Sequence, residues 1–212
     1  MSELVIAVDG PTASGKGTIA KALAAHFGLP HLDTGLLYRA VGVQTVRNDG
    51  DPDREADALA ACSFPDGLLA SPLLRTEESG GYASRASVHP AVRAALLDRQ
   101  RAFVSQPGGA VLDGRDIGTV IAPDATAKLY VTASVSARAL RRWKEMNAHG
   151  IDASLAAIEA DLAARDERDR SRAEAPLRQA DDAERLDTSQ MTPREAIAAA
   201  IALVESRIGR PR

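Results

Sequence analysis

A chain of 212 residues that is 45% apolar can bury a substantial core, and one domain with embellishments is expected over two independent ones. Its net charge of -3 argues against broad binding to nucleic acid or anionic membrane, and its single cysteine, Cys62, excludes an intramolecular disulfide and a cysteine-built zinc site. The N-terminus lacks a basic region and no stretch approaches the length of a membrane span, so a soluble, cytoplasmic protein is expected.

The run Leu4-Val5-Ile6-Ala7-Val8 is apolar on both faces, as a central parallel strand must be. Gly10 and Gly15 then bracket a loop whose backbone N–H groups can turn inward on an anion. A helix beginning near Lys16 points its positive end at the same spot, and Lys16 adds a full charge able to reach terminal phosphates. Gly17 follows Lys16 where the strict phosphate-loop pattern has Ser or Thr, and the hydroxyl arrives one place later at Thr18. Ile19, Leu23 and Phe27 recur at helical spacing, with Ala20 and Ala24 beside them. Strand, glycine-bracketed loop and helix together point to a nucleoside triphosphate site.

His31-Leu32-Asp33 predicts a short strand, and Leu36, Leu37, Ala40, Val41 and Val43 a helix after it. Residues 48–57 are charged and turn-rich, and 63–87, with Pro65, Gly67, Pro72, Gly80 and Gly81, form a small excursion from the sheet. A helix over 90–103, strands over 110–112 and 127–131, and helices over 134–148 and 153–172 follow, the last two separated by Gly150. After a weak strand at 185–187 comes a final helix with Thr192 as cap, Pro193 first and Glu195 three after the cap. Its stripe of Ile197, Ile201, Val204 and Ile208 is expected to pack on the core. Strands alternating with helices predict an α/β fold around a five-stranded parallel sheet.

Four groups fall at or just beyond strand ends, where open parallel sheets bind ligands. They are the phosphate loop, the segment from Asp33 through Thr34 to Arg39, Asp113-Gly114-Arg115-Asp116, and the run from Arg165 to Arg172. Mixed charge along a helix is usually a solvated face, yet four arginines in the eight residues from Arg165 to Arg172 are costly to hold together without an anion. Arg115 has two readings as well: pairing with Asp113 or Asp116, or serving a site that holds Mg²⁺ and phosphate together. His26, His31, His89 and His149 show no metal-ligand spacing, so surface or capping roles are expected, and Trp143 reads as a packing residue.

The motifs DGPTASGKGT (9–18), LDTGLLYR (32–39), RQRAF (99–103), LDGRDIGTVIAPDA (112–125) and RDERDRSRAEAPL (165–177) carry a resemblance to bacterial cytidylate kinases that spans nearly the whole chain. DGRDIGT followed by PDA is more specific than the phosphate loop and separates this family from adenylate kinases. The resemblance implies a P-loop three-layer αβα domain over 1–212, with its core in 1–50, 94–148 and 173–212. A monophosphate-binding insert would occupy 51–93 and a helical lid 149–172. It implies transfer of the γ-phosphate of Mg²⁺-bound ATP to CMP or dCMP, with no side chain assigned to a metal; nothing in the apolar pattern demands a partner, so a monomer is expected. Gly10, Pro11, Thr12, Ala13, Ser14, Gly15, Lys16, Gly17 and Thr18 would hold ATP, with Ser14 also near the acceptor phosphate. Thr34, Arg39 and Arg115 would bind the CMP phosphate, while Tyr38, Arg165, Asp169 and Arg172 would surround the sugar and the transfer region. Ser84, Arg93 and Asp116 would read the cytosine edge, Ser84 being placed by its distance from Pro90 and Arg93. Lys16, Arg115, Arg165 and Arg172 would be catalytic, and Arg168 and Arg170 would belong to the mobile lid.

The family often carries a small antiparallel sheet in its insert, whereas residues 63–87 are poor in strand formers, a departure that bears on discrimination among CMP, dCMP and UMP. Two other readings stay open on the residues alone. One is a P-loop kinase for another nucleotide or a metabolite such as shikimate. The other is a GTP-dependent switch, against which stands the lack of an Asn-Lys-x-Asp guanine-reading motif.

Overall fold

The computed structural model describes residues 3–148 and 150–209; His149, expected at the surface and first residue of the expected lid, lies outside them, as do residues 1, 2 and 210–212. The strands are β1 (Val5–Asp9), β2 (His31–Asp33), β3 (Ala110–Gly114), β4 (Ala127–Thr132) and β5 (Glu184–Asp187). The helices are α1 (Lys16–Phe27), α2 (Thr34–Arg47), α3 (Glu55–Ala60), α4 (Glu77–Ala86), α5 (Pro90–Val104), α6 (Val135–Ala148), α7 (Leu155–Ser171) and α8 (Pro193–Ile208). The chain divides into two compact units, Met1–Leu32 with Val104–Arg212, and Asp33–Phe103.

The first unit is built on a parallel sheet of order β2-β3-β1-β4-β5 with helices on both sides, the α/β arrangement expected from the alternating pattern and the P-loop kinase fold implied by the resemblance. β1 sits at its centre, Val5 to Asp9 pairing with Ala110 to Gly114 on one side and Ile6 to Asp9 with Ala127 to Tyr130 on the other. That position explains its unbroken apolar run: Ile6 and Val8 join Val111, Leu129 and Val131 in a core capped by Ile19 and Leu23 of α1 and by Ala196, Ala200 and Val204 of α8. The capping box expected at Thr192 is present. The Glu195 N–H donates to Thr192 Oγ1 at 3.3 Å, and the Thr192 N–H donates to Glu195 Oε2 at 2.8 Å. One residue of the α8 stripe departs from expectation: Ile208, at the helix's last position and beyond the packed cluster, is 43% exposed.

The second unit, Asp33–Phe103, is helical beyond β2. The proline- and glycine-punctuated stretch folds as single 3₁₀ turns at Asp66–Ala70 and Pro72–Arg75, with Pro65 preceding the first and Pro72 opening the second. Prolines there remove the donors a strand ladder would need. Leu37, Val41, Phe64, Leu68, Leu74, Val92 and Leu96 form this unit's core, and half-buried Cys62 donates to the Ala58 carbonyl at 3.5 Å. Among the described residues no helix is long and apolar enough to cross a membrane.

Within this unit α2 and α4 meet at Gly42, where an added Cβ would lie 2.5 Å from Tyr82 Cβ and 2.9 Å from its carbonyl carbon. Gly42→Ala sets helix propensity, which favours alanine by about 1 kcal/mol, against overpacking, which costs about 1–3 kcal/mol. Because the opposing atoms include backbone, we expect packing to win and the denaturant midpoint to fall; a raised midpoint would show that the two helices part freely.

Candidate active site

The phosphate loop is bent by close backbone approaches. A Cβ on Gly10 would lie 2.0 Å from the Val131 carbonyl oxygen, and Gly15 takes a left-handed φ of 89° just before α1. Ala13 shares that region at φ 61°. Gly10 donates its N–H to Gly114 O at 3.3 Å, so β1 and β3 leave the sheet tied together. Ser14 is wholly buried; its carbonyl accepts from Thr188 Oγ1 at 3.0 Å, and its own hydroxyl has no hydrogen-bond partner among the described residues. A buried hydroxyl left without a partner costs about 1–3 kcal/mol, and an anion seated in the loop would satisfy it. Lys16 opens α1 half-buried, while Thr18, the displaced hydroxyl, is exposed.

The strand ends bring acids to the same region. Asp9, last residue of β1, accepts from the N–H of Ile117 and of Gly118, each at 2.8 Å, and so anchors a π-helical turn at Ile117–Ile121 directly after Asp116. Burial pushes the Asp9 carboxyl up to about 7, against the pull of those two N–H groups. Asp113 Oδ1 is 2.8 Å from His31 Nε2, and a Cβ on Gly17 would lie 3.7 Å from Asp113 Oδ2, which places this carboxylate beside the start of α1. His31 therefore has a strand-end partner where a surface or capping role was expected.

Arg115 reaches Asp169 on α7, Nε to Oδ2 at 2.6 Å, and donates through Nη2 to Thr12 Oγ1 at 2.6 Å. Asp169 also pairs with Arg172, whose buried Nε has no hydrogen-bond partner among the described residues. Burial would raise the Asp169 carboxyl, but Arg115 and Arg172 outweigh it and hold it at about 2. Arg165, buried on the same helix, is driven down by burial, with Asp161 opposing and the Arg115 charge reinforcing. The solvated-face reading of 165–172 holds for Glu167, Arg168 and Arg170, which are exposed, and fails for Arg165, Asp166 and Asp169.

In the second unit Thr34 opens α2 and is buried, as are Tyr38, Ser84 on α4 and Arg93 on α5. The Arg93 guanidinium stacks over the Tyr38 ring at 5.7 Å. Arg39 Nη1 donates to the Leu74 and Thr76 carbonyls at 2.9 and 2.8 Å and to Ser79 Oγ at 2.9 Å, holding the entry of α4. These residues are described within their unit, and Ser14, Arg115, Asp116, Arg165, Asp169 and Arg172 within the other.

The sequence reading gave no role to Asp9, Arg138 or Asp166, although Arg138 Nη1 donates to the Thr12 carbonyl at 3.1 Å and to Asp166 Oδ1 at 3.1 Å. Asp9 carried a signal, an acid closing a fully apolar strand. Asp166 lies four residues after buried Leu162 and three before Asp169, so it falls on the inward face of α7. Arg138 beside Ala139 on α6 had no signal beyond lying on a buried face.

The chain matches the family model described as cytidylate kinase over residues 6–206. A protein of Xanthobacter autotrophicus named cytidylate kinase is 55% identical over 204 residues, covering 96% of this chain and 98% of the relative. Cytidylate kinases of a Caulobacter species and of Azorhizobium caulinodans are each 53% identical, covering 98% and 97% of this chain and 98% and 100% of their own lengths.

A carboxyl held near 2 in the folded chain and near 3.8 unfolded stabilises the fold above about pH 4, and that contribution drains away as pH falls through 2. Asp169→Asn should therefore cost about 2 kcal/mol at neutral pH and narrow the gap to the parent between pH 4 and 2, read by chemical denaturation across pH. A gap independent of pH would remove Asp169 from the charge network.

Proposed function

Because the chain belongs to the cytidylate kinase family, we infer that it transfers the γ-phosphate of ATP to CMP or dCMP, giving CDP or dCDP and ADP. The observation that carries this reading is the cluster of three guanidinium groups around Asp169 beside the phosphate loop. Arg115, Arg165 and Arg172 all act electrostatically on Asp169, and Arg115 also touches Thr12. The acceptor is already an anion and needs no strong base, so the chemistry is positioning plus neutralisation of the charge that gathers as two phosphates approach. The other kinase and switch readings have no comparable support.

The roles are proposed as follows. The loop from Gly10 to Thr18, with Lys16 at the N-terminus of α1, holds the ATP phosphates, and the buried Ser14 hydroxyl finds its partner there. Arg115, Arg165 and Arg172 clamp the transferring group, with Asp169 fixing two of them. Thr34, Tyr38, Arg39, Ser84, Arg93 and Asp116 bind CMP, and Asp116, an acceptor-only carboxylate when ionised, reads the cytosine 4-amino group. Residues 51–93 serve as the monophosphate-binding insert and 149–172 as a lid that excludes water from the transfer.

Magnesium held chiefly by phosphates and water needs only one or two carboxylates, and Asp113, set beside the start of α1, fits that part. The ion would neutralise β- and γ-phosphate charge when bound. The proposed setting is cytoplasmic pyrimidine nucleotide metabolism, with the chain working as a monomer.

Formation of ADP from Mg·ATP, measured with CMP, dCMP, UMP, AMP and shikimate offered separately, tests the reading. Turnover should be confined to the cytidine nucleotides, and silence with both would overturn it. Asp116→Ala should lower turnover with CMP and shrink the CMP-to-UMP preference, the missing contact being worth about 1–3 kcal/mol; an unchanged preference would take base reading away from Asp116.

A further inference from the structure

Arg138 and Asp166 form the most deeply buried ion pair among the described residues, their side chains 1% and 2% exposed. Arg138 Nη1 and Nη2 meet the two Asp166 oxygens at 3.1 and 2.5 Å. The same Nη1 donates to the Thr12 carbonyl at 3.1 Å, and Nε donates to the Ala133 carbonyl at 3.0 Å, just past the end of β4. One planar fork thus joins the phosphate-loop backbone, the end of a sheet strand and the helix that bears Arg165 and Asp169 and leads into Arg172.

We propose that Arg138 is a positioning residue for phosphate transfer, locking the Thr12 backbone to α7 through Asp166 so that the arginines of that helix stand at a fixed distance from the loop. Helix α7 then docks by two carboxylates three residues apart. Asp169 is received by Arg115 and Asp166 by Arg138, and both arginines also contact Thr12, one at its hydroxyl and one at its carbonyl. A buried ion pair is a poor means of simply fastening two helices, because apolar residues of similar volume do so at lower desolvation cost. What the pair adds is direction. Arginine offers several donors in a rigid plane and can satisfy Asp166, Thr12 and Ala133 together, which the single ammonium of lysine cannot.

The proposal rests on the phosphate-transfer reading above, and the parent enzyme separates the two: no CMP turnover in the parent defeats that reading and leaves this one without a reaction to position. With an active parent, kcat, KM for ATP and the ratio of ATP hydrolysed to phosphate transferred are measured for Arg138→Lys, Asp166→Asn and the double variant Arg138→Met with Asp166→Leu. Each is assayed at a temperature where circular dichroism shows it folded. A misplacement of about 1 Å can cost about 10²-fold, so the two single variants should lose at least about tenfold in kcat. Their KM for ATP should stay within about threefold of the parent, and hydrolysis per transfer should rise. The double variant, with neither charge left unpaired, should recover stability without recovering kcat. The proposal is overturned if the double variant regains kcat to within about twofold. It is equally overturned if Arg138→Lys keeps kcat and coupling, or if none of the three variants folds, for the pair would then be a stability element alone.

Discussion

The charge cluster beside the phosphate loop depends on how Thr12 is held. It lies in a loop whose backbone has little room, with Gly10 pressed against the Val131 carbonyl and the buried Ser14 carbonyl bound by Thr188. Arg115 takes its hydroxyl and Arg138 its carbonyl, and each arginine hands on to a carboxylate of α7. Arg138, its side chain 1% exposed, depends on Asp166 in particular, because an unpaired buried charge costs several kcal/mol. In this conformation charge pairing ties loop to helix, which is the closed arrangement expected of the proposed lid.

That arrangement explains why the cluster can be both stable and reactive. Asp169 is kept ionised by Arg115 and Arg172, and Arg165 lies in the same electrostatic field. Preorganised charge of this kind needs no rearrangement at the moment of transfer, which is where electrostatic catalysis gains most over water. The unpartnered Ser14 hydroxyl and Arg172 Nε are two polar groups that a phosphate would satisfy.

Most of the fold was legible in the sequence because its signals were local. β1, β3 and β4 announced themselves by apolar runs, β2 and β5 only weakly as short segments ending in Asp, and the final helix by the Thr192–Glu195 box. Residues 63–87 read only as an excursion poor in strand formers; their 3₁₀ turns and the helix α4 were not legible, because short turns carry no hydrophobic period. What could not be read was the partner of each charge. Arg115 had two acids beside it in sequence, and its tie to Asp169 spans more than fifty residues. The run from Arg165 to Arg172 mixes exposed and buried charges at neighbouring positions, so composition alone gives no warning that Asp166 and Asp169 point inward. Arg138 was invisible for the same reason: its role is set by Thr12 and Asp166, neither near it in the chain.

We propose that one preorganised field of positive charge receives both the donor and the acceptor phosphates. The most direct test is calorimetric titration with a bisubstrate analogue in which adenosine and cytidine are joined through a chain of phosphates. The account predicts binding at least about 10²-fold tighter than ATP, and a loss of that advantage when uridine replaces cytidine. An analogue that binds no more tightly than ATP alone would contradict it.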